Sequence, residues 1–515
     1  MSKFASPAKT ATMARPVTGS IGRKATHEGY DGHELNPKSA LYTLAVTSLI
    51  EPKFYESAKS GLDRLRSLTK QVTESDPEWV ANFVPWLRGT GNMRSASVAV
   101  AAEYAKAGGP NARRVIASAI QRADEPAEML GYWFSHYGKT LPAAVKRGIA
   151  DGARAQYSEW TALKYDGKGR DIRFADVIDL THPKPKDDIQ SAVFKWCLDR
   201  RHNRSDIDLS GLESARLDRE LQTLPIETRG DRIADAIDAG WSWERLAGWL
   251  PGGMDARAWE HVIPNMGYMA RLRNLRNFEE AKVNPKALSS VADYLADPEQ
   301  VAKSRQFPYR FWSAHKHANS ITFGPALERA LDLSVQNIPA LPGRTLVMVD
   351  TSASMSPGFH SYGRGSAPIS PVEIAGLFGA SVWFRNPGQV DISIYADSAI
   401  PLKTSGVSLL RNMEALVREI GVVGHGTRTW PSTASQYDGH DRIIVFTDMQ
   451  DHPARVSSLP DVPVYVFDLA GYGVANVEPR PGRYLFGGFT DAHFRLLPLI
   501  EAGEAEIWPW ETTNA

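Results

Sequence analysis

Apolar residues recur at intervals of three and four from about residue 38 to 335, and then the period changes. "PEWVANFVPWLRG", "NMRSASVAVAAEYAKAG", "NARRVIASAIQRADEPAEMLGYWFSHYG" and "LPAAVKRGIADGARAQYSEWTALKYDG" each carry a one-sided apolar stripe and close at Gly or Pro. "ALYTLAVTSLIEPKFYESAKSGLDRLRSL" reads the same way, so residues 31–338 are expected to form one helical domain. Many helices of this length in antiparallel pairs predict an α-solenoid of HEAT type, although no strict sequence period is found. At "NIPALPGRTLVMVD" the chain breaks at Pro339, Pro342 and Gly343. Beyond it, "TLVMVD" (345–350), "VDISIYAD" (390–397), "DRIIVFTD" (441–448) and "VPVYVFDLAG" (462–471) are continuous apolar runs separated by helical segments. Such runs suit parallel strands buried on both faces, so residues 339–515 are expected to form a doubly wound α/β domain. Residues 1–30 lack periodicity and read as a flexible arm.

Composition changes this picture little. The chain has 515 residues, 43% of them hydrophobic and 23% charged, and no apolar run of membrane-spanning length. One cysteine, Cys197, excludes an internal disulfide framework and a Cys-rich zinc site. A soluble, cytoplasmic monomer is expected. The net charge of zero conceals an asymmetry: residues 341–515 hold 12 Lys+Arg against 18 Asp+Glu, and residues 1–340 hold 47 against 41. A basic half suits an anionic partner, although scattered solvated faces would produce the same imbalance.

Chemistry concentrates at "TLVMVDTSASMS" (345–356). A buried strand ends in Asp350, and Ser352 and Ser354 follow at a spacing that lets all three side chains converge. A second strand ends in Asp448, and the loop "GVVGHGTRTW" presents Thr427 between glycines. Two carboxylates and three hydroxyls are hard oxygen donors, suited to Mg²⁺ or Mn²⁺. The alternative is local: Asp350 closes an Asx turn and the serines cap the next helix. "DTSAS", the downstream Thr loop and "FTD", in this order, resemble the metal-ion-dependent adhesion site (MIDAS) of von Willebrand factor A domains. That resemblance implies a divalent cation held by Asp350, Ser352, Ser354, Thr427 and Asp448. The sequence departs from it at Arg428, where relatives usually carry an acidic residue after the Thr.

The helical half also has a likeness. "WLRGTGNMRSASVAVAAEY" (86–104), "QRADEPAEMLGYWFSHYG" (121–138), "LPAAVKRGIADG" (141–152), "ALKYDGKGRDIRFADVIDLTHPKP" (162–185) and "RLRNLRNF" (271–278) together resemble the TROVE module of the Ro 60 kDa autoantigen family. That family pairs the module with a C-terminal von Willebrand A domain. The resemblance implies a HEAT-like ring with a basic central hole, small noncoding Y-like RNA as a ligand, and single-stranded 3′ ends of misfolded RNA passing through the hole. It also implies partnership with a 3′→5′ exoribonuclease in bacterial members. In the matching segment Lys164, Lys168 (or Arg170) and His182 take the positions at the hole. Gly167 and Gly169 blur the register between the two basic residues.

The residues make independent sense of this. Between Lys139 and Arg204 there are 14 Lys+Arg against 9 Asp+Glu. Lys164, Lys168, Arg170 and Arg173 fall within ten positions, with Lys146 and Arg147 upstream and His182 downstream. Cations here neutralise phosphates, and guanidinium or imidazole planes stack on unpaired bases. Arg94 either binds phosphate or pairs with an acidic neighbour such as Glu103, and Lys164 with Lys168 (i, i+4) equally suits a solvated helix face. The tryptophans read mostly as core. No G-x-S-x-G, H-E-x-x-H or Walker A motif is present, so a non-enzyme is expected. Two roles remain: an RNA-binding scaffold, or a metal-dependent module that recruits an acidic partner.

Overall fold

The computed structural model describes residues 20–25, 31–47, 58–318, 320–336, 338–355, 369–404, 408–451, 460–472, 474–477, 482–488, 494, 496–501, 508 and 510. The chain divides into two compact units, one of residues 69–334 and one of residues 1–68 with 335–515.

The discontinuous unit is built on a six-stranded sheet. Its strands are β3 (Thr345–Asp350), β4 (Val390–Tyr395), β5 (Ala399–Pro401), β6 (Arg442–Thr447), β7 (Val464–Asp468) and β9 (Arg483–Gly487), ordered β5-β4-β3-β6-β7-β9. All neighbours run parallel except the edge strand β5. Every residue of β3, β6 and β7 is buried, which explains their unbroken apolar runs. Helix Pro371–Arg385, opened by a Ser370–Glu373 capping box, is buried continuously from Val372 to Trp383. From β3 the chain moves outward to β4 and β5, then returns to place β6 on the other side of β3. The direction of winding therefore switches between β3 and β6. In open α/β sheets, that point at the strand C-termini is where ligands bind.

The N-terminal expectations need correction. Residues 20–25, expected in a flexible arm, form strand β1 (Ser20–Ala25), which pairs antiparallel with β2 (Asp31–Leu35). In turn β2 pairs with β8 (Val474–Ala475), making a second, three-stranded sheet. The other residues of that arm, 1–19 and 26–30, lie outside the described residues. Helix Pro37–Val46, expected in the helical domain, packs in the sheet unit and is buried from Ser39 to Val46. It crosses the end of β9 so closely that a Cβ on Gly487 would sit 2.5 Å from Val46 Cγ2 and 2.8 Å from Thr43 Cα. A helix apolar on one stripe declares that it has a core, not which core it joins. The boundary between units falls at 68/69, inside helix Ala58–Ser75.

The unit of residues 69–334 is helical throughout its described length, as the three-and-four spacing predicts. Its turns are fixed by local chemistry. Asp76, Ser158, Asp187, Ser242, Asp255, Asn284 and Asp297 each accept a hydrogen bond from an N–H in the first turn of the helix they cap. Gly89 and Gly138 follow helix ends. The interior is aromatic: Tyr104, Trp133, Tyr157, Phe174, Phe278 and Phe311 are almost wholly buried, and the Tyr157 and Phe174 rings stack at 3.8 Å.

Candidate metal centre and nucleic-acid interface

The C-terminal ends of β3 and β6 bring Asp350 and Asp448 to the switch point. Asp350 is fully buried; Oδ1 accepts the Ser352 N–H at 2.9 Å, and Oδ2 accepts the Thr447 hydroxyl at 2.6 Å. This is the Asx turn of the local alternative. The Ser352 and Ser354 hydroxyls lie 3.3 Å apart, and residues Ala353–Met355 form only a short 3₁₀ turn. The Thr427 loop is tied to this turn because the Ala353 N–H donates to the His425 carbonyl at 3.0 Å. Gly424 makes that approach possible with φ of 97°, while the His425 and Gly426 N–H groups donate to Asp397. Thr427 is buried and Arg428 is exposed.

The two carboxylates differ: Asp350 accepts from Ser352, Thr447 and Tyr395, whereas Asp448 is opposed in its shift only by Ser354 and the Gln450 N–H. Asp448 is 3% exposed, and Oδ1 accepts the Gln450 N–H at 3.2 Å, but Oδ2 takes no hydrogen bond. Burial first, and the nearby Asp350 carboxylate second, push the Asp448 carboxyl well above the usual range. Burial also raises Asp350, opposed by the hydroxyls of Ser352 and Thr447. An orphaned oxygen on one of two neighbouring buried acids is a charge without a counterion, and a divalent cation supplies one. Among the described residues no group of three or more His, Cys, Asp and Glu gathers at metal-binding spacing. A cation here therefore needs hydroxyl donors as well, and Ser352, Ser354 and Thr427 are buried at this edge. The residue set fits a hard divalent ion.

Three polar residues at this edge escaped the sequence reading. Thr447 occupies Asp350 Oδ2; Tyr395, at the end of β4, hydrogen-bonds Asp350 and lies 3.2 Å from the Thr429 hydroxyl. Asp451 accepts the Thr429 N–H at 3.0 Å, so an acidic residue does reach the loop that carries Arg428. The one trace of Asp451 in sequence is a second acid three residues after Asp448, in "TDMQD".

In the helical unit the basic candidates separate into two kinds. Arg173 is 6% exposed, with Nη2 2.9 Å and Nε 3.3 Å from the two oxygens of Asp166. Asp166 also receives Arg200 at 2.6 Å and the Phe174 N–H at 2.8 Å. Arg173 is thus a clasp at the base of loop 166–173, correcting its expected role at phosphate. Arg94 is likewise committed, pairing with Asp124 at 2.9 Å, Glu125 at 3.2 Å and with Glu128, rather than with Glu103. Arg271 of "RLRNLRN" is buried on the Met266 and Pro264 carbonyls, and Arg276 pairs with Glu280.

The others face solvent. Lys168 and Arg170 lie exposed in the clasped loop, beyond the helix that ends at Tyr165, so Lys164 and Lys168 share no helix face. Lys164 and Arg147 are exposed, and Lys146 is half-buried on helix Ala143–Gln156. His182 adopts φ of 51° as the residue that ends helix Phe174–Thr181, with its side chain exposed. The tip of the loop thus offers cations while its base is closed by an ion pair.

Residues 237–324 match the TROVE domain family. The chain is similar in structure to the Ro (RSR) protein of Deinococcus radiodurans, with a TM-score of 0.59 and 18% identity, over 85% of this chain and 93% of that one. That degree of identity establishes a shared fold. No curated protein matches in sequence. Among the described residues no helix is long and apolar enough to cross a membrane.

Proposed function

We propose that this chain, which carries a TROVE domain and the fold of a bacterial Ro protein, is an RNA-binding scaffold whose helical unit holds single-stranded RNA. The observation that carries this reading is the loop 166–173. Its ends are locked by Asp166 and Arg173, while Lys168, Arg170 and the neighbouring Lys164 and His182 stay exposed. A loop pinned at its ends with exposed cations suits a phosphodiester backbone, because less loop freedom is lost on binding. The ligands are small noncoding Y-like RNA and the 3′ ends of misfolded RNA, delivered to a 3′→5′ exoribonuclease; the protein itself is a cytoplasmic non-enzyme. The direct test is binding of a hairpin with a single-stranded 3′ tail against the same hairpin blunt. Tail-dependent binding supports the scaffold, and equal weak binding to both rejects it.

A second reading concerns the other unit, a von Willebrand A-like domain with a MIDAS. The unpaired Asp448 Oδ2 favours a Mg²⁺ or Mn²⁺ ion held by Asp350, Ser352, Ser354, Thr427 and Asp448. When bound, such an ion has two carboxylates for its charge and attracts a further anionic oxygen, such as an acidic side chain of a protein partner. The chain's own residues set that preference: Arg428 is exposed beside Thr427 and adds to the pull on an anion. The two readings are compatible, since each uses its own unit.

A further inference from the structure

Three Trp–cation pairs at i, i+4 occur in the helical unit, and one differs from the others. Arg200 lies over the Trp196 ring at 4.5 Å and Arg245 over Trp241 at 4.1 Å. In both, the indole is buried, at 3% and 6% exposure, and the guanidinium is bound to a carboxylate, Asp166 or Asp218. These are packing devices. Lys164 lies over the Trp160 ring at 4.6 Å, but Trp160 is 50% exposed and no carboxylate pairs with Lys164 among the described residues.

The surroundings hold this indole in place. A Ser158–Thr161 capping box opens its helix, Glu159 accepts the Ala215 N–H at 2.7 Å, and Asp166 closes the far end in the Arg173–Arg200 clasp. The Gly240 backbone lies against the ring edge, where a Cβ would be 3.0 Å from Trp160 Cδ1. The Tyr165 ring stands at 86° to the indole with centroids 6.4 Å apart; Lys164 is 5.2 Å from its centre and the Arg122 guanidinium 5.5 Å. A half-open aromatic plane, with an ammonium over one face that pairs with no carboxylate among the described residues and the Lys168–Arg170 loop following in sequence, has the parts of a site for one nucleotide of a single strand.

We infer that Trp160 is a stacking platform for an unpaired RNA base, with Lys164 meeting the adjoining phosphate. This rests on the RNA-scaffold reading and names a contact within it. Because every base has a π-face, the site tolerates sequence and selects single strands over duplex, whose bases are stacked and unavailable. The indole supplies area and the cation supplies charge, so the two contributions separate by their salt dependence.

The test is anisotropy of a labelled single-stranded 10-mer with the full chain, wild type and Trp160→Ala, Trp160→Phe and Lys164→Gln, across a salt series. Trp160→Ala is expected to weaken binding roughly 5- to 150-fold with the salt slope unchanged, and Trp160→Phe to retain most of the affinity. Lys164→Gln is expected to make the slope of log K against log salt shallower by about 0.7. An abasic scan of the 10-mer with wild-type protein guards against a folding artefact: at least one abasic position should cost affinity, and that cost should vanish in Trp160→Ala. If wild type binds with steep salt dependence while neither Trp160→Ala nor any abasic position matters, the stacking site is overturned and the scaffold stands. If wild type binds no RNA, both fall.

Discussion

Arg173 and Asp166 are bound to one another across the base of an eight-residue loop, with Arg173 Nη2 2.9 Å from Asp166 Oδ2 and both side chains nearly inaccessible. Asp166 is also held by Arg200 and the Phe174 N–H, so removing Arg173 takes one charged hydrogen-bonding partner from a buried cluster, at a cost of about 1.5–3 kcal/mol. Arg173→Ala should therefore lower the stability of the helical unit by about that much in urea unfolding. Lys168→Glu and Arg170→Glu, at exposed positions, should leave stability within about 0.5 kcal/mol.

At the strand edge, Mg²⁺ or Mn²⁺ should raise the thermal midpoint of chelator-treated protein, and the rise should be absent in Asp350→Asn and in Asp448→Asn. Without metal, Asp448→Asn should itself stabilise, since it removes a buried charge whose Oδ2 has no partner. Differential scanning fluorimetry with and without EDTA reads both effects. Arg428→Asp should increase the response to Mg²⁺ by removing a cation from the loop.

Asp332, in the helical unit, offers a pH dependence of its own. Burial, reinforced by Glu328, pushes its carboxyl up to about 6, and Oδ1 lacks a hydrogen bond. A raised folded-state value means that the ionised form opposes folding. That cost is fully present above about pH 6 and fades as pH falls toward the unfolded value of about 3.9. Asp332→Asn should accordingly stabilise at pH 7.5 and lose its advantage near pH 4. Urea midpoints at the two pH values measure this.

Removing residues 1–47 should destabilise the sheet unit, because helix Pro37–Val46 is part of its core. Gly487→Ala should act in the same direction, forcing that helix away from β9. Limited proteolysis should show faster cleavage of the sheet unit in both variants, whereas a merely superficial N-terminal segment would leave the rate unchanged.

The parts of this fold that were readable in sequence are those with a strong period. "TLVMVD", "RIIVFT" and "VYVFD" are the strands β3, β6 and β7, wholly buried as apolar runs require, and "VDISIY" is β4, buried except at Asp391. Strands β1 and β2, in the separate three-stranded sheet, and the short β5 and β8 carry no such apolar run. The same limit applies to the site. Asp350 and Asp448 were visible because strands point at them, while Thr447, Tyr395 and Asp451 are brought in by neighbouring strands and loops. Charge count could not separate Arg173 from Arg170, three positions apart, because only the fold puts Asp166 beside one of them. Nor did the pattern single out Trp160, whose exposure follows from what does not pack over it.

On the proposed function, the tip of loop 166–173 holds RNA phosphates. The most direct test is the salt slope of single-stranded RNA binding in wild type and in Lys168→Gln/Arg170→Gln. Two lost phosphate contacts should make the slope shallower by about 1.4, at about 0.7 each, with the unfolding midpoint unchanged. An identical slope in both proteins would contradict the account and move the RNA, if any is bound, away from this loop.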